Sequence, residues 1–143
     1  MSGFGLRDAV AQDAGALALV LGDWCREVPW MPELHTRDED LGFVRGLLAT
    51  HAVRLGFAGG LGFLARRGGE VDALYLAPEA RGQGLGRALL DEAKAAGHLT
   101  LWTFQANDGA RRFYAREGFR EVEFTHGAGN AEKLPDVRLE WTA

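Results

Sequence analysis

Apolar residues recur at helical spacing in four stretches of the chain. The first runs from Ala11 to Trp24, and the second follows Thr36, where a hydroxyl precedes an acidic turn as at a typical helix start. The third runs from Gly84 to Ala96, and the fourth, from Asp108 to Glu117, ends before Gly118. The pattern therefore predicts four amphipathic helices.

Short apolar runs between these helices predict strands. Two glycine pairs separate three consecutive runs, which indicates antiparallel hairpins. The predicted strands are Phe4 to Arg7, Ala52 to Phe57, Leu61 to Arg66, Val71 to Leu76, His98 to Phe104, Glu121 to Phe124 and Val137 to Trp141. The order of elements indicates one α/β (α+β) domain over residues 1–143, a mixed central sheet of about seven strands flanked by about four helices.

Composition and charge narrow the class of protein. A chain of 143 residues that is 47% hydrophobic and 25% charged fits one globular domain. The net charge of −4 gives no broad basic field for nucleic acid or an anionic membrane and favours a cationic partner. The run from Ala14 to Leu21 is shorter than the ~20 residues of a membrane helix, and Met1 to Val10 lacks a signal-peptide core. We expect a cytoplasmic protein that binds neither nucleic acid nor membrane.

A glycine-dense segment follows the third hairpin strand. This glycine loop, residues 81–87, has glycine at 82, 84 and 86 and arginine at both ends. Glycines let backbone N–H groups converge, and the helix that follows directs its positive dipole end at the same point, as a phosphate site requires. A dinucleotide fingerprint would need glycine where Arg87 stands, and the Gly-Lys-Ser/Thr of a Walker loop is absent. A flexible connection is the alternative, although it would need fewer glycines.

Two motifs resemble those of the GNAT superfamily, the acyl-CoA-dependent N-acetyltransferases. The glycine loop, as Arg81-x-x-Gly84-x-Gly86, is similar to the family's pyrophosphate loop, Arg/Gln-x-x-Gly-x-Gly/Ala. A second segment is similar to another family pattern, and it reads Asn107-x-x-Ala110-x-x-Phe113-Tyr114-x-x-x-Gly118-Phe119. The resemblance is specific over roughly residues 70–124. Three further segments, Pro29-Trp30, Leu34-His35-Thr36 and Pro135 to Trp141, together resemble a branch of small bacterial members whose acceptors are mostly unassigned.

The resemblance implies how acetyl-CoA would bind. The sheet would splay next to the strand that ends at Leu76, whose N–H would bind the thioester carbonyl, and Tyr114 would protonate the leaving thiolate. The implied cofactor-binding residues are Leu74, Leu76, Arg81, Gly82, Gln83, Gly84, Leu85, Gly86, Arg87, Asn107 and Tyr114. Capping of the last helix is an alternative or additional role for Asn107, and packing at the end of that helix is the alternative for Tyr114.

Two acidic residues are candidates for the catalytic base. An alkylammonium with a pKa near 10.4 must lose a proton before it attacks, and Asp72, Glu70 or a chain of waters could accept it. An exposed strand start is the alternative for both carboxylates. The acceptor is expected between the segment Trp30 to Thr36 and the loop Thr125 to Asp136, and its candidate contacts are Trp30, His35, Asn130 and Glu132. A solvated flap is the alternative there.

These observations predict an N-acetyltransferase that moves an acetyl group from acetyl-CoA to a small-molecule amine or a peptide amino group. The amine would attack directly in a ternary complex, and a homodimer is compatible with the sequence. No metal is expected, because the four histidines and the single cysteine lack metal-ligand spacing. Trp24, Trp102 and Trp141 are interpreted as core or edge packing residues. The alternative function is a non-catalytic acyl-CoA sensor or interaction module, which would not need the acid that Tyr114 supplies.

Overall fold

A computed structural model describes residues 5–143 of the protein, which form four α-helices and seven strands. The helices are α1 (Ala14–Glu27), α2 (Arg37–Thr50), α3 (Leu85–Ala93) and α4 (Asp108–Arg116). The strands are β1 (Arg7–Asp8), β2 (Ala52–Phe57), β3 (Leu61–Arg67), β4 (Glu70–Leu76), β5 (His98–Phe104), β6 (Arg120–Thr125) and β7 (Asp136–Thr142). Within the described residues, every helix is too short or too polar to cross a lipid bilayer.

The strands form one sheet in the order β1-β2-β3-β4-β5-β7-β6. Neighbouring strands are antiparallel except for β4 and β5, which are parallel and are joined through α3. Gly59 and Gly68 close the two hairpins with φ of +77° and +55°, a backbone region that favours glycine. The predicted mixed α/β architecture is confirmed.

Helices cover both faces of the sheet and enclose two apolar clusters. On one face, α1 and α2 pack over Phe63, Ala65 and Ala73. On the other face, α3 and residues of α4 pack over Leu64 and its neighbours on the remaining strands. Phe63 and Leu64 are both fully buried although they are adjacent, because successive side chains of a strand point to opposite faces.

Two irregularities affect β4. It pairs with β5 only through Glu70 and Thr100, after which the two strands diverge and leave a sheet gap. The predicted splaying is therefore confirmed. On its other edge, Ala73 pairs with Ala65 and Val71 pairs with Arg66, so Asp72 is an extra residue without a partner in β3.

Most predicted boundaries agree with the structure, and the differences lie at the ends of elements. The first predicted helix starts at Ala14 rather than Ala11, because the three preceding residues form a 3₁₀ turn. The first strand is Arg7–Asp8, and the predicted start at Phe4 lies outside the described residues. Thr36 and Glu39 form the expected reciprocal cap of α2, with Glu39 N–H donating to Thr36 Oγ1 at 3.2 Å.

Candidate active site

The sheet gap opens into a cavity of about 750 Å³. Its walls are β4, β5, the glycine loop and α4, so it joins the two motifs that the sequence analysis singled out. A cleft at the diverging carboxyl ends of two parallel strands is a common place for a ligand in α/β proteins.

Backbone N–H groups of β4 point into this gap. Ala77 N–H donates to Leu61 O of β3 at 2.8 Å. Because successive N–H groups of a strand point to opposite edges, the N–H groups of Leu76 and Leu74 are directed at the gap. In the described part of the chain, β5 provides no partner for them. These two residues can therefore donate hydrogen bonds to a molecule that lies along β4.

The glycine loop places a second set of donors at the end of the gap. Gly82 and Gly84 have φ of +74° and +87°, so the chain turns sharply before α3 begins at Leu85. Ala88 N–H is bonded to Gly84 O at 2.9 Å, and the N–H groups at 84–87 precede this first bond of the helix. Leu85 has a fully buried side chain and can contribute only its backbone. The arrangement suits an anion at the positive end of the helix dipole.

Three arginines line the cavity and add positive charge. Arg81 donates to the carboxylate of Glu27, at the end of α1, and to Leu76 O at 3.3 Å. The side chain of Arg87 is largely exposed, and Arg116 at the end of α4 was not a sequence-based candidate. Gln83 also lies in the loop, but its amide donates to Glu79 O at 2.7 Å and fastens the preceding turn.

Tyr114 lies in the wall formed by α4 and is only 8% exposed. Its ring packs edge-on against Phe113 at 5.2 Å and Phe119 at 5.4 Å between centroids, as the packing alternative requires. Burial raises the pKa of the Tyr114 phenol, so the group keeps its proton at neutral pH. Packing and proton donation are thus compatible.

Asn107 caps α4, as one alternative predicted. Its Oδ1 accepts a hydrogen bond from Ala110 N–H at 3.1 Å. Asn107 also lines the cavity, and its Nδ2 has no hydrogen-bond partner in residues 5–143. The same side chain can therefore cap the helix through oxygen and donate to a ligand through nitrogen.

The two candidate bases occupy different surroundings. Asp72 lines the cavity, and its Oδ2 lies 2.6 Å from His51 Nε2. Glu70 is exposed at the single pairing position with Thr100 and is absent from the cavity wall. The structure brings Asp72 to the site and leaves Glu70 at its margin.

The predicted acceptor segments differ in how closely they approach the cavity. Trp30 packs edge-on against Trp24 at 6.2 Å and against Phe104 at 5.6 Å between centroids. It lines a second groove of about 350 Å³ that shares Trp24, Arg81 and Asn107 with the cavity. Trp30 therefore lies next to the site.

Glu132, in the loop between β6 and β7, lines neither the cavity nor the adjoining groove. Burial raises the pKa of Tyr75, and the charge of the Glu132 carboxylate is among the smaller contributions in the same direction. The pKa of the half-buried Cys25 thiol is likewise raised, first by burial and then by the Asp40 and Glu132 carboxylates. Glu132 is thus within electrostatic range of Tyr75, which lines the cavity, and it stays a prediction as an acceptor contact.

The other two candidates lie elsewhere. The side chain of Asn130 holds its own loop together, donating to Leu134 O at 2.8 Å and to Asp136 Oδ2 at 3.1 Å. His35 is exposed, and its backbone carbonyl accepts from Arg26 at 2.9 Å. Neither residue lines the cavity or the adjoining groove, so both remain predictions as acceptor contacts.

Trp102 is the main cavity residue whose role the sequence analysis misjudged. The sequence predicts core or edge packing, whereas the side chain of Trp102 is 48% exposed and lines the cavity. The cluster beneath α1 and α2 involves β2, β3 and β4, so it leaves the face of β5 that carries Trp102 uncovered. Alternation with the buried residues Leu99 and Leu101 was the signal that could have placed Trp102 on that face.

Comparisons with known proteins agree with this geometry. The family profile described as "Acetyltransferase (GNAT) domain" matches residues 36–121. The peptidyl-lysine N-acetyltransferase YjaB of Escherichia coli is 38% identical over 61 residues, which are 42% of each chain. The uncharacterized N-acetyltransferase MJ1207 of Methanocaldococcus jannaschii is 38% identical over 64 residues, 41% of this chain and 28% of that protein. The chain spans half or less of the length of these curated relatives.

Solved structures are similar over nearly the whole chain. Apo YjaB from Escherichia coli has a TM-score of 0.76 and 25% identity, with 98% of both chains covered. YncA from Salmonella typhimurium, a putative acetyltransferase with its cofactor acetyl-CoA, has a TM-score of 0.70 and 19% identity, with 99% of this chain and 94% of that chain covered. The second similarity concerns the fold alone.

Proposed function

Since the chain belongs to the acetyltransferase (GNAT) family, we propose that it transfers an acetyl group from acetyl-CoA to a primary amine of a small molecule or peptide. The observation that carries this proposal is the sheet gap, because it places the inward-directed N–H groups of β4 and the start of α3 on one cavity. A long, thin thioester with a pyrophosphate at one end fits such a pair of features.

The donor binds with its pyrophosphate on the glycine loop. The N–H groups at 84–87 and the dipole of α3 attract the phosphates, and Arg81, Arg87 and Arg116 balance their charge. The pantetheine arm follows the gap back along β4, where Asn107 Nδ2 and the N–H of Leu76, the β4 donor nearer the loop, are available. These contacts would direct the acyl group toward Leu74, the next inward-directed donor along β4.

The N–H of Leu74, which lies two residues from Asp72, then stabilises charge during the reaction in place of the expected Leu76. As the amine attacks the thioester carbon, the carbonyl oxygen becomes an oxyanion, and the N–H of Leu74 donates a hydrogen bond to it. Direct attack needs no protein nucleophile. The only cysteine suits this role poorly, because burial raises the pKa of Cys25 and leaves little thiolate.

Asp72 accepts a proton from the amine, and Tyr114 donates a proton to the leaving thiolate. An alkylammonium with a pKa near 10.4 costs about 4.6 kcal/mol to deprotonate at pH 7, so a base beside the amine accelerates attack. Asp72 takes this role in preference to Glu70, because only Asp72 lines the cavity. The buried phenol of Tyr114 keeps its proton until the CoA thiolate leaves and can receive it.

The acceptor binds between Trp30 and Glu132. A flat aromatic wall and a carboxylate suit a cationic amine, and the net charge of −4 favours its approach. A lysine side chain is the first acceptor to test, because the relative YjaB is named a peptidyl-lysine N-acetyltransferase.

The decisive experiment combines binding with turnover. Calorimetry should show that acetyl-CoA binds and that NAD and ATP do not, and a thiol-release assay over a panel of amines should identify an acceptor. A preference for NAD or ATP would reject the donor assignment. Tight acetyl-CoA binding without thiol release from any amine would favour a non-catalytic acyl-CoA sensor.

A further inference from the structure

His51 connects the end of α2 to the cavity through Asp72. Its Nε2 lies 2.6 Å from Asp72 Oδ2, and its Nδ1 lies 2.7 Å from the hydroxyl of Thr50. The side chains are 8% exposed for His51 and 30% exposed for Asp72, so the imidazole is almost enclosed and the carboxylate remains accessible. The contact joins residues that are 21 positions apart in the sequence.

Asp72 needs such support because of its place in β4. It is the extra residue of the bulge, so pairing with β3 does not fix its backbone. Because of the bulge, the two residues that flank Asp72 face opposite sides of the sheet. Ala73 packs in the cluster beneath α1 and α2, whereas Val71 packs in the opposite cluster. A bulge often redirects a side chain at a site.

The contact leaves one carboxylate oxygen available. When Asp72 is ionised, it brings no proton to the 2.6 Å contact, so His51 Nε2 must supply the hydrogen. The Thr50 hydroxyl donates its single hydrogen to Gly46 O at 2.7 Å, so it meets His51 Nδ1 through an oxygen lone pair. In residues 5–143, Asp72 Oδ1 has no hydrogen-bond partner and can accept from a bound amine.

We propose that His51 is a positioning residue, which fixes Asp72 Oδ2 so that Oδ1 meets the acceptor amine at the cavity wall. The inference rests on the proposed function and deepens it. His51 itself lies outside the cavity wall and acts only through Asp72. The expected ligand of this pair is a primary alkylamine, which arrives as a cation and gives up a proton.

The test is a double-mutant cycle with a conservative rescue. The variants are His51→Ala, Asp72→Asn, the double variant and His51→Gln, in which the amide nitrogen replaces Nε2–H. His98→Gln, at an exposed histidine that begins β5, is the matched control. For each variant, acetyl-CoA affinity is measured by calorimetry, kcat and KM are measured with Nα-acetyl-lysine amide, and circular dichroism reports the fold.

We expect His51→Ala to lower kcat/KM for the amine at least tenfold while the acetyl-CoA Kd stays within twofold. His51→Gln should restore most of the loss, and adding His51→Ala to Asp72→Asn should cost nothing further. Additive losses, an unchanged His51→Ala, or no rescue by His51→Gln would overturn the positioning role. If the wild type turns over no amine, the proposed function fails and this inference fails with it, whereas the first three results leave the proposed function intact.

Discussion

The guanidinium of Arg81 donates to the carboxylate of Glu27, so the glycine loop is fastened to the C-terminal end of α1. The two residues are 54 positions apart, and both side chains are partly exposed, at 42% and 39%. Arg81 also lines the cavity, where a phosphate would compete with Glu27 for the same cation. Breaking the Arg81–Glu27 ion pair therefore offsets a small part of the free energy gained when the donor binds.

Removing the carboxylate should strengthen donor binding. We predict that Glu27→Gln tightens acetyl-CoA binding by about 1.5- to 5-fold, the range expected for an exposed ion pair. Calorimetry at low and high salt should show the difference shrinking as salt screens the charges. Glu33→Gln, which removes another exposed partner of an arginine, should leave the affinity unchanged. Weaker binding by Glu27→Gln would instead mean that the pair holds Arg81 in its binding position.

Glycines 84 and 86 should differ in their tolerance of a side chain. Gly84 has φ of +87°, where a β-branched residue is strained, so Gly84→Val should weaken acetyl-CoA binding by roughly tenfold or more. A Cβ at Gly86 would meet Leu76 and Phe113 at 3.6 Å, which is ordinary contact, so Gly86→Ala should bind within about twofold. Equal affinities in two folded variants would place the phosphates elsewhere.

Asn107 offers a way to separate its two roles. Asn107→Asp and Asn107→Ser both keep a capping oxygen and lose the amide N–H₂, whereas Asn107→Ala loses both. We predict that only the alanine variant loses stability, by about 1 kcal/mol, and that all three bind acetyl-CoA roughly 2- to 12-fold more weakly. Thermal unfolding and calorimetry give the two readouts. If the aspartate and serine variants bind like the wild type, Asn107 is a cap only.

Tyr114→Phe preserves the ring packing and removes the proton. Turnover should fall by ~10² to 10⁴, as for the loss of a general acid, while acetyl-CoA affinity changes little. Because burial raises the pKa of the phenol, Tyr114 should cause no loss of activity below the ordinary phenol pKa of about 10. Stopped-flow thiol release across the pH range measures both effects. Wild-type turnover in the variant would return Tyr114 to a packing role.

The acceptor segments should affect the amine and not the donor. We predict that Trp30→Ala and Glu132→Ala each raise the acceptor KM by roughly tenfold, because one removes an apolar wall and the other a charged partner. Acetyl-CoA affinity should remain unchanged. Glu123→Gln, on the exposed strand β6, is the control for a general change of charge. Unaltered kinetics in both variants would move the acceptor to another surface.

Local features of the chain were predictable from the sequence. The bounds of β2 and β5 match the predicted runs, because alternation and flanking glycines are properties of neighbouring residues. The positive φ of Gly82 and Gly84 in the glycine loop is likewise a local feature of the chain. The capping role of Asn107 also follows from its position immediately before a helix.

Features that depend on distant parts of the chain were not predictable from the sequence. The contacts Arg81–Glu27 and His51–Asp72 join residues on separate elements, and no local pattern announces them. Trp102 is predicted to pack in the core or at an edge, yet the helices over its face of the sheet lie on the other side of the gap. Asp72 and Glu70 looked equivalent until the bulge and the cavity distinguished them.

Because β4 and β5 pair at a single position, the sheet consists of two panels, one of four strands and one of three. An extended molecule that lies between the panels and accepts from β4 takes the place of a missing strand. Its binding would thus continue the sheet across the gap as well as fill the cavity. Amide hydrogens along β4 should then exchange more slowly with solvent, and the unfolding temperature should rise with ligand concentration. Amide exchange along β4 and the unfolding temperature would therefore both report whether the gap is occupied.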